Sequence, residues 1–384
     1  MKIPSISWCA MELAEHGNVE KYSGLTGLES IAENWKQIRQ QITRPSFYHL
    51  FGWYWGYTKY LDGSGESISY YVIRANNDPV AIVPVKRYER KLFGIPVLSL
   101  ETPDHNHLGL TDLILAEESG FSAYAAIQNV LESEGKRREV DVFRVMESCE
   151  DSILNKYIEQ QDAYRVIRTQ VTKSKYIDCR VSYEVYLDKL TGRFKKNNRR
   201  KRRKAEKLGE LEFDILDAQQ DFDKKYETFL DLEASGWKGE KGRATAIKQH
   251  EDLHQFYGSL KAKLQGEAEV IINSLELDGK CIAAQYCIVV AGTVYLLKIA
   301  FDENYSEVSP GFLLLDELIR VVCENSKLDR ISFVTGASWN DDWMPETLVV
   351  NELIIVNHTF RGRLVLLAYR VKTALKKILN VVRR

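Results

Sequence analysis

The sequence predicts an α/β protein of mixed sheets, built as two halves on one plan. Three observations predict it. In the first half, Ile68–Arg74 and Pro79–Val85 are short apolar runs flanking the turn Asn76-Asn77-Asp78, the pattern of two strands in a hairpin. In the second half, Val270–Leu277, the turn Asp278-Gly279-Lys280 and Cys281–Val290 repeat that order, and Ala291-Gly292 leads into a third run, Thr293–Ala300. Recurrence of strand, turn, strand points to an internal structural duplication. Finally, 384 residues, 45% hydrophobic and 28% charged, are enough for two folded domains, each with its own core.

Taken in order, Ile95–Leu100 and Leu108–Leu115 continue the strand series, 122–132 reads as a helix, and Val140–Val145 as another strand. The halves are expected at 1–165 and 166–384, with a mostly helical insert over 183–264. The most informative stretch is 298–311. Val294–Leu297 reads as a buried strand, and the apolar residues from Phe312 to Val322 recur at helical spacing. Between them Ser309-Pro310-Gly311 would open the helix, with Ser309 as N-cap and Pro310 at the first helical position. Unpaired amides and the positive end of the helix dipole would then suit a phosphate. A plain strand-to-helix turn has the same pattern, because one glycine is a weaker signal than a Gly-rich phosphate loop.

Net charge is −1, but the charge is segregated. Residues 193–207 carry ten cations and one acid, and 361–384 carry eight cations and no acid. Each run suits a solvated helix face. The first would equally attract phosphates, of a CoA-like ligand or of RNA. In the second, Leu364, Leu367, Val371, Leu375, Ile378 and Val382 fall on one helical stripe, which suits docking on an anionic membrane surface. Six cysteines show no Cys-x-x-Cys pair, and Cys281, Cys287 and Cys323 lie in apolar runs, so reduced thiols in a cytosolic setting are expected. Met1–Trp8 lacks a signal-peptide core and no segment nears the ~20 apolar residues of a membrane span. A cytoplasmic location, with peripheral contact at the inner membrane face, follows as the expectation.

Glu233-Ala234-Ser235-Gly236-Trp237-Lys238-Gly239, then Gly242, the Asp278-Gly279 hairpin, Lys298–Asp302 and Ser309-Pro310-Gly311 come in an order and spacing that resembles the GNAT-type acetyltransferases named for cellulose biosynthesis. That family is similar to the Fem-type aminoacyl transferases in having two GNAT-like halves. The resemblance covers 183–336 best. It implies a tandem GNAT fold and transfer from acetyl-CoA or another acyl-CoA, without a metal, to a sugar, nucleotide sugar, polysaccharide precursor or amine. By the same resemblance Ser309, Pro310 and Gly311 would hold the CoA pyrophosphate, although the fuller Gln/Arg-x-x-Gly-x-Gly loop is missing. A Tyr-Lys pair found in some members is replaced here by Trp339-Asn340, so no catalytic lysine carries over. A Fem-like transfer from charged tRNA and a non-catalytic binding module at the membrane stand as alternatives.

Direct acyl transfer needs a base and oxyanion donors but no protein nucleophile, in keeping with a chain that lacks a Gly-x-Ser-x-Gly elbow. Glu233, beside the backbone break at Gly236-Trp237-Lys238-Gly239, is the first candidate base and Asp302 the second; a solvated helix carboxylate and a turn cap are the plainer readings. Lys298, in an apolar strand, needs a partner or a ligand phosphate, or equally is an edge-strand lysine snorkelling to solvent. Trp237, with Lys238 and Gly239, would meet the substrate, the indole stacking on a sugar or adenine or simply packing. His105 and His107 form a polar knot read as a substrate-binding loop in the cleft between the halves; a metal there lacks a well-spaced third ligand. His250 and His254 lack the glutamate of a zinc motif and read as surface residues.

Overall fold

The computed structural model describes residues 17–63, 68–135, 140–158, 165–240 and 242–382; the Met1–Trp8 reading and Cys9 lie outside them. In chain order come β1 (Asn18–Ser23), α1 (Gly24–Ser30), α2 (Ala32–Arg39), α3 (Phe51–Gly56), β2 (Ser69–Ala75), β3 (Asp78–Leu92), β4 (Ile95–Glu101), β5 (Ile114–Leu115) and α4 (Ala123–Gly135). Next are β6 (Val142–Cys149), α5 (Ile153–Ile158), β7 (Val166–Asp178), α6 (Tyr183–Lys189), α7 (Gly192–Glu206), β8 (Leu211–Asp214), α8 (Phe222–Ser235) and α9 (Glu251–Lys263). The chain ends with β9 (Glu269–Leu277), β10 (Lys280–Val290), β11 (Thr293–Phe301), α10 (Pro310–Glu324), β12 (Arg330–Ser332), β13 (Glu346–Val356) and α11 (Phe360–Val382).

The chain forms two compact units. One takes the described residues up to Thr43, Asp62–Thr172 and those from Val349 on; the other takes Arg44–Leu61 and Lys173–Leu348. Set against a division at 165/166, residues 44–61, 166–172 and those from 349 on fall on the other side. Residues from 349 on join the first unit because β13 pairs antiparallel with β6, from Val350↔Cys149 to Val356↔Val142, and Val365 of α11 packs with Val97, Val142 and Ile354. Residues 44–61 join the second because Trp53 of α3 sets its ring edge-on to Phe256 of α9, centroids 5.0 Å apart.

In the first unit the strand order is β1-β2-β3-β4-β6-β13, with β5 beside β3. In the second it runs from the end of β7 through β12-β11-β10-β9 to β8. The expected hairpins are present in both, β2 on β3 and β9 on β10. Each turns through two left-handed residues, Asn76 (φ 50) with Asn77 (φ 71), and Asp278 (φ 49) with Gly279 (φ 75), the turn that matches strand twist. Leu108–Leu115 is a strand only at Ile114–Leu115, because Asp112 instead accepts the Ile153 and Leu154 N–H groups that open α5. The insert at 183–264 is likewise interrupted by β8, which pairs with β9.

In the second unit both faces of the sheet are covered. Tyr286 of β10 is ringed by Phe222, Tyr226 and Phe229 of α8 and Tyr257 of α9. Its neighbour Cys287 faces the opposite way, into a core shared with Leu315, Leu318 and Val322 of α10. Alternation along the strand thus feeds two cores. Among the described residues no helix is long and apolar enough to cross a membrane, and Cys149, Cys179, Cys281, Cys287 and Cys323 are free thiols.

Candidate functional site

β11 is the strand that makes the site. It pairs parallel with β12 only from Thr293↔Arg330 to Tyr295↔Ser332, while its antiparallel pairing with β10 continues to Ala283↔Phe301. Past Ser332 the chain turns off toward β7, with the Phe333 N–H donating to the Lys175 carbonyl. β11 therefore outruns β12 by six residues, and a gap opens on that side. On the β10 side the register slips, Tyr286 facing Lys298 and Cys287 facing Leu296, so Leu297 bulges out of the ladder.

The start of α10 faces this gap. Pro310 is at its first turn as expected, but Ser309 does not cap it: the residue is left-handed (φ 52, ψ 64) and makes no side-chain cap bond, its hydroxyl donating instead to the Ser306 carbonyl at 3.3 Å. A non-glycine residue in this region costs about 1 kcal/mol. The Gly311 N–H has no hydrogen-bond partner among the described residues. A Cβ on Gly311 would meet only Phe301, at 3.8 Å, so packing within the chain does not require glycine there. A mostly apolar cavity of about 240 Å³ lies against this turn, lined by Gln285, Ile299, Phe301, Ser306, Ser309, Gly311, Phe312, Leu315 and Trp339. Oriented amides at a helix start above an apolar slot suit an anion carrying a hydrocarbon arm.

A smaller cavity of about 60 Å³ lies on the α8 side, lined by Leu232, Glu233, Gly236, Trp237, Lys238, Ile299, Ala300 and Phe301. The two cavities share Ile299 and Phe301 as walls. Glu233 is buried, and both carboxylate oxygens are occupied: one pairs with Lys238 at 2.8 Å, the other accepts the Ile247 N–H at 2.9 Å. Lys238 also donates to the Ile299 carbonyl at 3.1 Å. Gly239 is dictated by the loop itself, since a Cβ would lie 1.9 Å from the Ala234 carbonyl oxygen. Trp237 is 48% exposed, its N–H donates to Glu303 at 2.9 Å, and Arg243 sits 5.0 Å over its ring.

Asp302 caps the following turn through the Asn304 N–H and pairs with Lys280 at 2.8 Å. Burial pushes its carboxyl up, but the Lys280 and Asn304 hydrogen bonds outweigh this and hold it below the usual range. Lys298 does not line the α10 cavity. It is half-buried beneath α9, 5.5 Å from the Tyr257 ring centroid, and makes no hydrogen bond or ion pair among the described residues. Burial first, then the Lys238 charge, lower it to about 8, against a smaller opposing pull from Glu233.

His105 and His107 belong to a loop of the first unit, rings 5.6 Å apart, with the His107 N–H donating to His105 Nδ1. No group of three potential metal ligands occurs among the described residues. His254 stacks on Tyr226 and His250 contacts the Ala244 carbonyl.

Along α7 the charge run divides. Arg202 pairs with Glu317 at 2.7 Å and Lys204 with Glu307 at 2.5 Å, and Lys201 lies over Phe312, lowered by burial and by Arg200. Arg193, Lys196, Arg199, Arg203 and Lys207 have no partner among the described residues. Arg193, Lys196 and Arg200 line a polar depression of about 680 Å³ with Phe194, Asn197 and Asp342. Sequence patterning pointed to 298–311 but not to Gln285, Phe312 or Trp339, whose roles as cavity wall depend on the β11–β12 gap.

No curated protein matches the chain. Residues 192–343 match the family described as acetyltransferase (GNAT) domain, a span that holds both cavities. Two solved structures share the fold. One is a conserved protein of unknown function from Bacteroides thetaiotaomicron VPI-5482, TM-score 0.54 and 12% identity, over 85% of this chain and 97% of that one. The other is FemX, TM-score 0.54 and 10% identity, over 85% and 95%. The chain is thus an α/β protein of GNAT-like architecture, with a match to the acetyltransferase domain over residues 192–343.

Proposed function

We propose that the second unit transfers an acyl group, acetyl in the simplest case, from a CoA thioester to an amine or hydroxyl of a sugar, nucleotide sugar or polysaccharide precursor. The observation that carries this reading is the cavity where β11 outruns β12 below the start of α10. A diphosphate would take the Gly311 N–H and the α10 dipole, and the pantetheine arm would follow the exposed edge of β11. The acceptor would enter on the α8 side. Its nitrogen or oxygen would attack the thioester carbonyl carbon, and a backbone N–H at the Leu297 register slip would stabilise the oxyanion. Collapse breaks the C–S bond, the acceptor proton would pass through water to neutral Lys298, which lines neither cavity but feels the charges of Lys238 and Glu233 on the α8 side, and the CoA thiolate leaves. Release of free thiol from acetyl-CoA with amino and hydroxy sugars tests this; no CoA binding by calorimetry and no thiol release would overturn it.

Lys298 gives the reading a pH signature. A base near 8 makes the rate climb toward a plateau above that pH. Lys298→Met is expected to lower kcat by about 10²–10⁴-fold and yet to stabilise the fold at neutral pH. The folded state binds fewer protons than the unfolded chain between about 8 and 10.5, so wild-type stability rises with pH across that window and burial of the charge is a cost below it. Allowing for partial solvent access, that cost is on the order of 1–2 kcal/mol. Melting curves at pH 7 and 10 for both proteins check it: the Lys298→Met advantage should shrink at pH 10.

A second reading, Fem-like transfer from aminoacyl-tRNA, is favoured by the five unpartnered cations of 193–207 and by the FemX-like fold. If these contact phosphates, tRNA affinity falls about 10²–10³-fold between 50 and 200 mM salt. Filter binding that is absent, or indifferent to salt, would exclude it.

A further inference from the structure

We propose that α11 is a docking surface for an anionic lipid bilayer, lying in the headgroup plane with its outward face immersed. One face of α11 is used within the first unit: Val365 is buried with Val97, Val142, Ile354 and Val356, and Leu366 and Tyr369 pack against the same group. At ~100° per residue these positions sit opposite a second apolar stripe that no described residue covers. Phe360 is 75% exposed, Leu367 59%, Val371 50%, Leu375 55%, Ile378 59% and Leu379 58%. They fall within an arc of about 120°. A helix apolar on two opposite faces has a second partner to meet.

Charge says what that partner is. Among the described residues of α11 there is no acid, and Arg361, Lys372 and Lys376 border one side of the exposed stripe, Arg363 and Arg370 the other. Cations on both shoulders of an apolar arc reach up to lipid phosphates while the apolar residues sink about 5–10 Å into the acyl boundary. The helix is too polar to cross a membrane, so it lies on one. None of these side chains lines the cavities of the second unit, so docking is separable from acyl transfer and stands whether or not that reading holds.

The test is co-sedimentation of the full chain with phosphatidylcholine vesicles, with and without about one-third phosphatidylglycerol. Binding is expected with the anionic vesicles, weakened by salt, and little with neutral ones. Reversing Arg370, Lys372 and Lys376 to glutamate should weaken binding at least 100-fold, at about fivefold or more per cation. The exposed-face variant Leu375→Ser/Ile378→Ser/Leu379→Ser, with unchanged circular dichroism and melting, should abolish it. Absence of binding to anionic vesicles at low salt, or binding untouched by either variant, overturns the proposal. So does a dimer in wild type that the serine variant dissociates, since a second copy would then cover the stripe.

Discussion

Gly311→Leu is expected to abolish CoA binding while leaving the protein folded. The site tolerates a side chain as far as the chain itself is concerned, with Phe301 the only neighbour at 3.8 Å from a Cβ, yet a leucine would project into the cavity that Gly311 lines. It would also screen the Gly311 amide, which has no partner among the described residues. A charge-assisted hydrogen bond of this kind contributes about 1.5–3 kcal/mol, so its loss alone weakens binding about 10- to 150-fold, before the steric block is counted. Calorimetry with CoA measures the affinity, and a thermal melt run beside it separates a blocked site from a misfolded one. An unchanged dissociation constant would remove α10 from the cofactor site.

Glu233→Ala should produce a large stability loss. It strands Lys238 in a half-buried position and leaves the Ile247 N–H without its acceptor. Breaking a buried ion pair by removing one partner costs about 3–5 kcal/mol, which in a unit of this size lowers Tm by roughly 6–20 °C. The loop carrying Trp237 would loosen with it, because Lys238 ties that loop to β11 through the Ile299 carbonyl. Glu233→Gln distinguishes structural from catalytic service. If Glu233 only braces the loop, glutamine keeps the Ile247 bond and much of the rate; if it is the base, the rate falls by orders of magnitude with modest change in Tm.

What the residues disclosed in advance, and what they hid, follows from the range of the interactions. Hairpins at Asn76-Asn77 and Asp278-Gly279 were legible because a two-residue left-handed turn and its flanking alternation are local. Pro310 at the first turn of α10 was legible for the same reason. The capping role read for Ser309 was not, since its left-handed backbone turns the hydroxyl back to Ser306. Glu233 looked like a solvated or catalytic carboxylate. Its partners, Lys238 and the Ile247 amide, are five and fourteen residues away across a loop whose path no periodicity describes. Lys298 drew attention as a charge in an apolar strand, but its place under α9 rather than at the phosphate turn depends on the register slip at Leu297. Two glycines divide the same way: Gly239 is required by its own loop, Gly311 by nothing inside the chain.

The placement of residues 44–61 in the second unit has a practical corollary for anyone wishing to study that unit alone. Gly52 approaches the Lys263 carbonyl so closely that a Cβ would lie 2.3 Å from it, and Gly56 sits against the Phe256 ring. A fragment trimmed to 173–348, the remainder of the second unit, would shed this aromatic clasp and bare a greasy flank of α9. Such a truncation should come out of expression as aggregate, and supplying 44–61 as a fused or separate peptide should rescue its solubility.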